Sequence, residues 1–398
     1  MNRPAHAFAW LGWRGIWACF ALILFGCGPV YSPEELNRAG QWTHLKLEKR
    51  TFPPGTVVRA LVWGRYFDEE VIQRFEDFYQ IDVQLDTVMT NDEMLKILEE
   101  KPGYYDLAMP TGYMVETMRA RRLLTTLNPD LLPNAVGIPP TWRELPFDPR
   151  AQLSLPYYYG ALGFGFDIAY VDGLPTSASI VLSEKNARLF EGMAALPDDA
   201  RFALGATLVY LGYSANSTNR DEIREAADLL KEFRRQGNIF ESDYIVDTML
   251  EGKASLALMW SGDATLAASQ MSNIRFLLPD EQVITFFDCF VIPATSQQPE
   301  LAHFFLNYLL EPTVAGQMSN YSHYMVTNLA ARPYVKRTIL NGPAALMPPP
   351  QRTVMIESVG EMEAFYEEVF AEVKAVEPVS RPASYPPYLP RALKYGRN

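Results

Sequence analysis

Apolar residues recur along this chain at two alternating periods. Residues 57–63 (V-V-R-A-L-V-W) form a β-rich run, and residues 68–79 then carry Val71, Ile72, Phe75 and Phe78 at helical spacing. Residues 81–88 alternate as a strand, and Thr90-x-x-Glu93 opens the next helix with a capping box. Residues 106–109 form a short strand and 113–123 a helix with Met114 and Met118 inward. A β-α-β-α order predicts an α/β fold, with a mostly parallel sheet covered by helices on both faces. In such sheets ligands sit beyond the carboxyl ends of the strands. Trp63 and Tyr66 lie just past the first strand, and Thr111 and Tyr113 just past the third. Two pairs at equivalent topological positions point to a site.

The second part repeats the alternation. Residues 128–148 are a proline-rich connection, and L-P-Y-Y-Y-G-A-L-G-F-G-F at 155–166 reads as one long strand. Its glycines are in the wrong order for a dinucleotide fingerprint, and no helix opens there. Ile223, Ala226, Ala227, Leu230 and Phe233 line one face of a helix over 220–237 that Gly237 stops. Further helices are expected over 301–310, from Pro312 at the favoured first position, and over 361–376. Residues 377–398, rich in Pro and Tyr, read as an irregular tail.

The apolar run at 16–25 is of another kind. It falls short of the roughly 20 residues a membrane span needs. Arg3 and Arg14 precede it, and L-F-G-C at 24–27 follows. Residues 1–27 therefore read as a lipoprotein signal peptide whose Cys27 is lipidated after cleavage. Residues 28–54, polar and running into a Pro-Pro-Gly turn, read as a tether. The expected location is the periplasm or extracytoplasmic face, anchored to the membrane through lipid. Of the three cysteines, Cys19 leaves with the leader and Cys27 is acylated, so Cys289 has no disulfide partner. Among apolar neighbours it reads as a packed small hydrophobe.

Composition narrows the function. With 398 residues, 48% hydrophobic, the chain can bury more than one domain. The formal charge of −12 comes without a Lys/Arg cluster or basic–aromatic stripe, so no nucleic acid is expected. An acidic balance suits a cationic partner, and equally a solvated acidic surface. Four histidines and no C-x-x-C or H-E-x-x-H spacing leave no metal or cofactor expected; His303 reads as a solvated or half-buried helix residue. No nucleophile–base–orienter set or phosphate loop appears, which argues against an enzyme.

The candidate chemistry sits in M-W-S-G-D at 259–263 and F-F-D at 286–288. Each puts a carboxylate within three residues of a large aromatic, inside an apolar strand-like run. Such carboxylates are costly unless a cation meets them. An organic ammonium fits: carboxylates accept its N–H groups, and aromatic faces cover its alkyl chain and attract its charge. Alone, Asp263 also reads as a turn acid, Asp199 as a helix start, and Trp260 and Tyr324 as core aromatics.

These stretches fall in order with V-W-G-R-Y, Y-Y-D-L-A-M-P-T-G-Y-M-V, S-L-P-Y-Y-Y-G-A-L-G-F-G, L-V-Y-L-G-Y-S-A-N-S-T-N, F-L-N-Y-L-L-E-P and T-N-L-A-A-R. Together they resemble the periplasmic spermidine/putrescine-binding proteins of bacterial ABC importers, over roughly the whole body of the chain. The resemblance implies a two-lobe periplasmic-binding-protein clamshell of type II, with crossover strands near Gly160-Ala161 and Phe286-Phe287. Lobe 1 would be 55–161 with a return at 287–332, and lobe 2 would be 162–286 with 333–376. It also implies that Trp63, Tyr66, Thr111, Tyr113, Trp260, Asp288 and Tyr324 contact ligand. Asp199 matches an acid of spermidine-type members, and Asp263 one of putrescine-type members. Three positions depart: Phe202 stands where the family has a ligand-binding glutamate, Phe286 where it has a tryptophan, and Ile356, beside Glu357, where it has a glutamine.

The expected function is capture of a polyamine or similar small cation by a monomer that delivers it to an ABC permease complex. The same closed lobe pair could dock instead on a membrane sensor, and the sequence carries no motif that separates the two.

Overall fold

The computed structural model describes residues 51–171, 175–183 and 192–378. The expected leader, lipidated Cys27, most of the tether and residues 379–398 of the tail lie outside the described residues. Phe52, assigned to the tether, packs its ring 5.1 Å from Phe304, so the body begins slightly earlier than expected.

The strands are β1 (Val57–Trp63), β2 (Asp82–Val88), β3 (Leu107–Ala108), β4 (Ser154–Asp167), β5 (Ala194–Leu196), β6 (Ile239–Phe240), β7 (Leu256–Trp260), β8 (Ile274–Leu277), β9 (Val283–Val291), β10 (Met325–Val326) and β11 (Thr353–Met355). The longer helices are α1 (Glu69–Tyr79), α2 (Asn91–Glu100), α3 (Gly112–Ala120), α4 (Ala200–Tyr210), α5 (Arg220–Arg235), α6 (Ile245–Leu250), α7 (Ser261–Gln270), α8 (Pro299–Leu309), α9 (Pro312–Ser322) and α10 (Glu363–Lys374).

Strand order is β2-β1-β3-β9-β4-β7-β5-β6, with β8 and β10 on β4 and β11 on β9. The outer units are parallel, as the βα alternation predicts: β1 with β2 and β3, and β5 with β6 and β7. The centre is antiparallel, which makes the sheet mixed. β4 and β9 are buried at every position and run against each other. Residues 154–161 of β4 pair with β9, whereas 162–167 pair with β7 and β8. One strand thus serves two groups of elements. Their close approach needs a glycine: a Cβ at Gly160 would come within 2.7 Å of the Phe286 ring and 2.8 Å of Ser261 Oγ.

Local signals set the helix starts. Asp68 accepts the Glu70 amide at 2.9 Å, and Thr90 accepts that of Glu93 at 3.1 Å. The Glu93 side chain returns to the Met89 amide rather than to Thr90, one residue beyond the expected capping box. The third expected helix ends early, at Ala120, because Arg122 takes a left-handed φ of 58°. His303 is buried, not solvated: its Nε2 accepts the Asn128 amide at 2.8 Å, which leaves Nδ1–H for the Pro299 carbonyl. It pins the proline-rich connection to α8. Cys289 is buried as expected.

Candidate functional site

A cavity of about 410 Å³ opens beyond the carboxyl ends of β1, β3 and β7. That is the size range of small-molecule sites. Of the expected site residues, Trp63, Tyr66, Thr111, Asp199, Phe202, Trp260, Asp263, Phe286, Asp288 and Tyr324 all line it. Tyr113 does not. It is buried behind the wall, its ring edge-on to Phe202 at 6.2 Å and under the Arg201 guanidinium at 5.6 Å. Helix spacing turns position 113 into the core once Thr111 faces the cavity. Ile356 is also absent from the lining; it packs near Gly205 of α4.

Asp288 lies in the middle of β9, 3% exposed. Thr111 donates its hydroxyl to Oδ1 at 2.8 Å, and Tyr66 donates to Oδ2 at 2.9 Å. Thr111 is the N-cap of α3 yet makes no side-chain cap bond, because its hydroxyl serves Asp288 instead. Asn91 holds it there, accepting the Thr111 amide at 3.0 Å and donating to its Oγ1 at 3.3 Å. Burial pushes the Asp288 carboxyl up to about 7, against the opposing pull of the two hydroxyls.

Asp263 stands in the first turn of α7, directly after the M-W-S-G run. Burial raises its carboxyl to about 7, while the Tyr324 hydroxyl and the charge of Arg65 act the other way. Neither Asp263 nor Asp288 takes part in an ion pair among the described residues. Asp199 is the N-cap of α4, where Oδ1 accepts the amides of Arg201 and Phe202 at 2.9 and 3.0 Å. The helix-start reading is therefore correct for this residue, and it lines the cavity as well. Burial lifts it to about 6.

Aromatic rings connect these acids. Successive centroids lie 4.6 Å apart for Phe202–Trp260, 5.0 Å for Trp260–Phe286, 6.0 Å for Phe286–Tyr324 and 5.2 Å for Tyr324–Tyr66. The wall runs from Asp199, beside Phe202, to the Asp263–Asp288 end, where the two tyrosines donate. Carboxyls at both ends of an apolar wall can accept N–H groups while rings cover the methylenes between them.

A family model described as bacterial extracellular solute-binding protein matches residues 70–339. The chain belongs to that family. This solute-binding protein is 31% identical over 317 residues to the spermidine/putrescine-binding periplasmic protein of Escherichia coli, covering 79% of this chain and 90% of that one. It is 26% identical over 302 residues to the putrescine-binding periplasmic protein of the same organism, covering 72% and 82%. Among solved structures, a Treponema pallidum lipoprotein superposes with a TM-score of 0.70 at 26% identity, covering 80% of this chain and 99% of that one. A spermidine/putrescine ABC transporter substrate-binding protein of Streptococcus pneumoniae does so at 0.67 and 26%, with the same coverage. The fold is that of the periplasmic binding proteins, and the family is one of binding proteins for ABC transporters, not of enzymes. No helix among the described residues is long and apolar enough to cross a membrane.

Sequence reasoning missed several residues of this solute-binding protein's cavity: Arg65, Asn91, Asp198 and Asp243 also line it. Nothing in the sequence marks Asn91, whose role shows only through its bonds to Thr111. Arg65 lies within the V-W-G-R-Y stretch, where neither apolar spacing nor charge pattern marks it.

Proposed function

We propose that this protein captures a polyamine outside the cytoplasm and delivers it to an ABC permease complex. The observation that carries the reading is Asp288: a buried carboxyl with two hydroxyl donors and no ion-pair partner among the described residues, facing an aromatic-walled cavity. A carboxylate left so is costly, and an ammonium repays it by charge and N–H donation together. Identity of about 30% to spermidine/putrescine-binding proteins supports the same ligand class. In this reading Asp288 and Asp263 accept the two heads of a diamine. Trp63, Tyr66, Trp260, Phe286 and Tyr324 cover its chain, and Asp199 is a third acid in the lining.

The two groups of elements that share β4 and β9 would act as lobes closing on the ligand, with the boundaries given in the sequence analysis. Cys27 would carry the lipid that tethers the protein to the membrane. Phe202 puts an apolar face next to Asp199, which favours a diamine over a triamine. Titration calorimetry with putrescine, cadaverine, spermidine, norspermidine and basic amino acids tests the reading. Saturable binding of amines but not of amino acids supports it, and binding of none of the amines overturns it.

A further inference from the structure

Among the described residues that line the cavity, Arg65 is the one arginine or lysine. It follows the end of β1 with a left-handed φ of 60°, a conformation that costs a side-chained residue something. Its Nη2 donates to Asp247 Oδ2 at 2.9 Å, and its guanidinium lies over the Tyr244 ring at 5.7 Å. Asp247 is on α6, so the side chain reaches across the cleft mouth from the β1 side to the β7 side. The pair is half exposed, 53% and 48%, and such pairs contribute little to stability. Asp243 and Asp263 line the same cavity as this guanidinium.

The remaining cavity acids are occupied differently. Asp198 is paired with Lys374 at 2.7 Å, and Asp199 caps α4. Asp288 alone is met only by hydroxyls. A first ammonium at Asp288 thus meets an uncompensated charge, whereas a second one enters a cavity whose lining already holds the Arg65 guanidinium.

We propose that Arg65 is a specificity-determining residue that sets how many positive charges the cleft accepts, opposing a second ammonium at the Asp263 end and so favouring an amine with one charged and one neutral head. The inference rests on the amine-binding reading. It is tested by titrating wild type, Arg65→Gln and Arg65→Lys with putrescine and with N-acetylputrescine, of equal backbone and one charge fewer. The work is done at pH 8.5, so that loss of the guanidinium does not act through protonation of Asp263. Arg65→Gln should raise the putrescine to N-acetylputrescine affinity ratio on the order of tenfold, and Arg65→Lys, which keeps the charge, should leave it near the wild-type value. A ratio unmoved or lowered in Arg65→Gln, with amines still bound, overturns the role of Arg65 alone. Absence of binding of either ligand to wild type and variants overturns the amine reading and this inference with it.

Discussion

Tyr66 donates its hydroxyl to Asp288 at 2.9 Å, joining the loop after the first strand to the middle of a strand in the last third of the chain. The bond favours the charged form of Asp288, which burial disfavours. Tyr66→Phe should therefore raise the proton affinity of Asp288 and weaken amine binding at pH 7 by about 1.5–3 kcal/mol, the worth of a hydrogen bond to a charged group. Part of that loss should return at pH 9, where Asp288 ionises anyway. A loss independent of pH would mean that the hydroxyl does not act through the protonation of Asp288.

Protons should leave when a cation binds. Asp263 and Asp288 lie at about 7 and Asp199 at about 6, each raised chiefly by burial. A cation selects the ionised form, so affinity should fall as pH drops below about 7. At pH 7 the first two groups are about half protonated, and binding should release about one proton in total. Titrations in buffers of different ionisation heat measure this directly. The same shifts act on the ligand-free fold in the other sense. A carboxyl whose folded value is raised contributes stability that is complete below its unfolded value near 4, and loses it as pH rises through about 7. Asp288→Asn should flatten that decline in a melting series.

Phe202 meets Trp260 edge-on at 4.6 Å in the first turn of α4. Phe202→Glu adds an acceptor beside Asp199 and should improve spermidine relative to putrescine by about 1–3 kcal/mol. Competition titration reads the ratio. A wild type that already prefers spermidine tenfold, or a ratio unchanged by the substitution, would remove Phe202 from the selectivity argument.

Gly262 supports the tyrosine end. A Cβ there would come within 2.4 Å of the Tyr324 ring, whose hydroxyl faces Asp263 and whose plane is tilted against that of Tyr66 at 5.2 Å. Gly262→Ala should cost about 1–3 kcal/mol of fold stability through overpacking and should weaken binding as well. Thermal melting and titration of one preparation separate the two effects.

Trp63, Thr111 and Trp260 were legible because they end or follow strands where the fold opens, whereas Asp199, Phe202 and Tyr324 were marked only by the family resemblance. What was not legible depends on partners far apart in sequence. Tyr113 sits two residues from Thr111, yet the turn of α3 sends it behind Phe202. Arg65 acquires meaning only through Asp247, and His303 only through the Asn128 amide. The antiparallel centre was hidden for a related reason. A fully apolar strand such as β4 has no alternation to reveal its faces, and nothing local declares which direction its neighbours run.

The claim at the centre is that Asp288 is the counter-charge for a bound ammonium. Titration calorimetry of wild type and Asp288→Asn with putrescine and spermidine at pH 8, with melting curves to show that both proteins are folded, tests it most directly. Wild type should bind, and a ligand at a hundredfold excess over Kd should stabilise the fold by about 2.7 kcal/mol. Asp288→Asn should keep its fold and lose at least about 2 kcal/mol of affinity, the low end for removing one partner of a buried charge pair. A folded Asp288→Asn protein that binds either amine within about threefold of wild type, a difference under about 0.7 kcal/mol, would show that this carboxyl is structural and contradict the account.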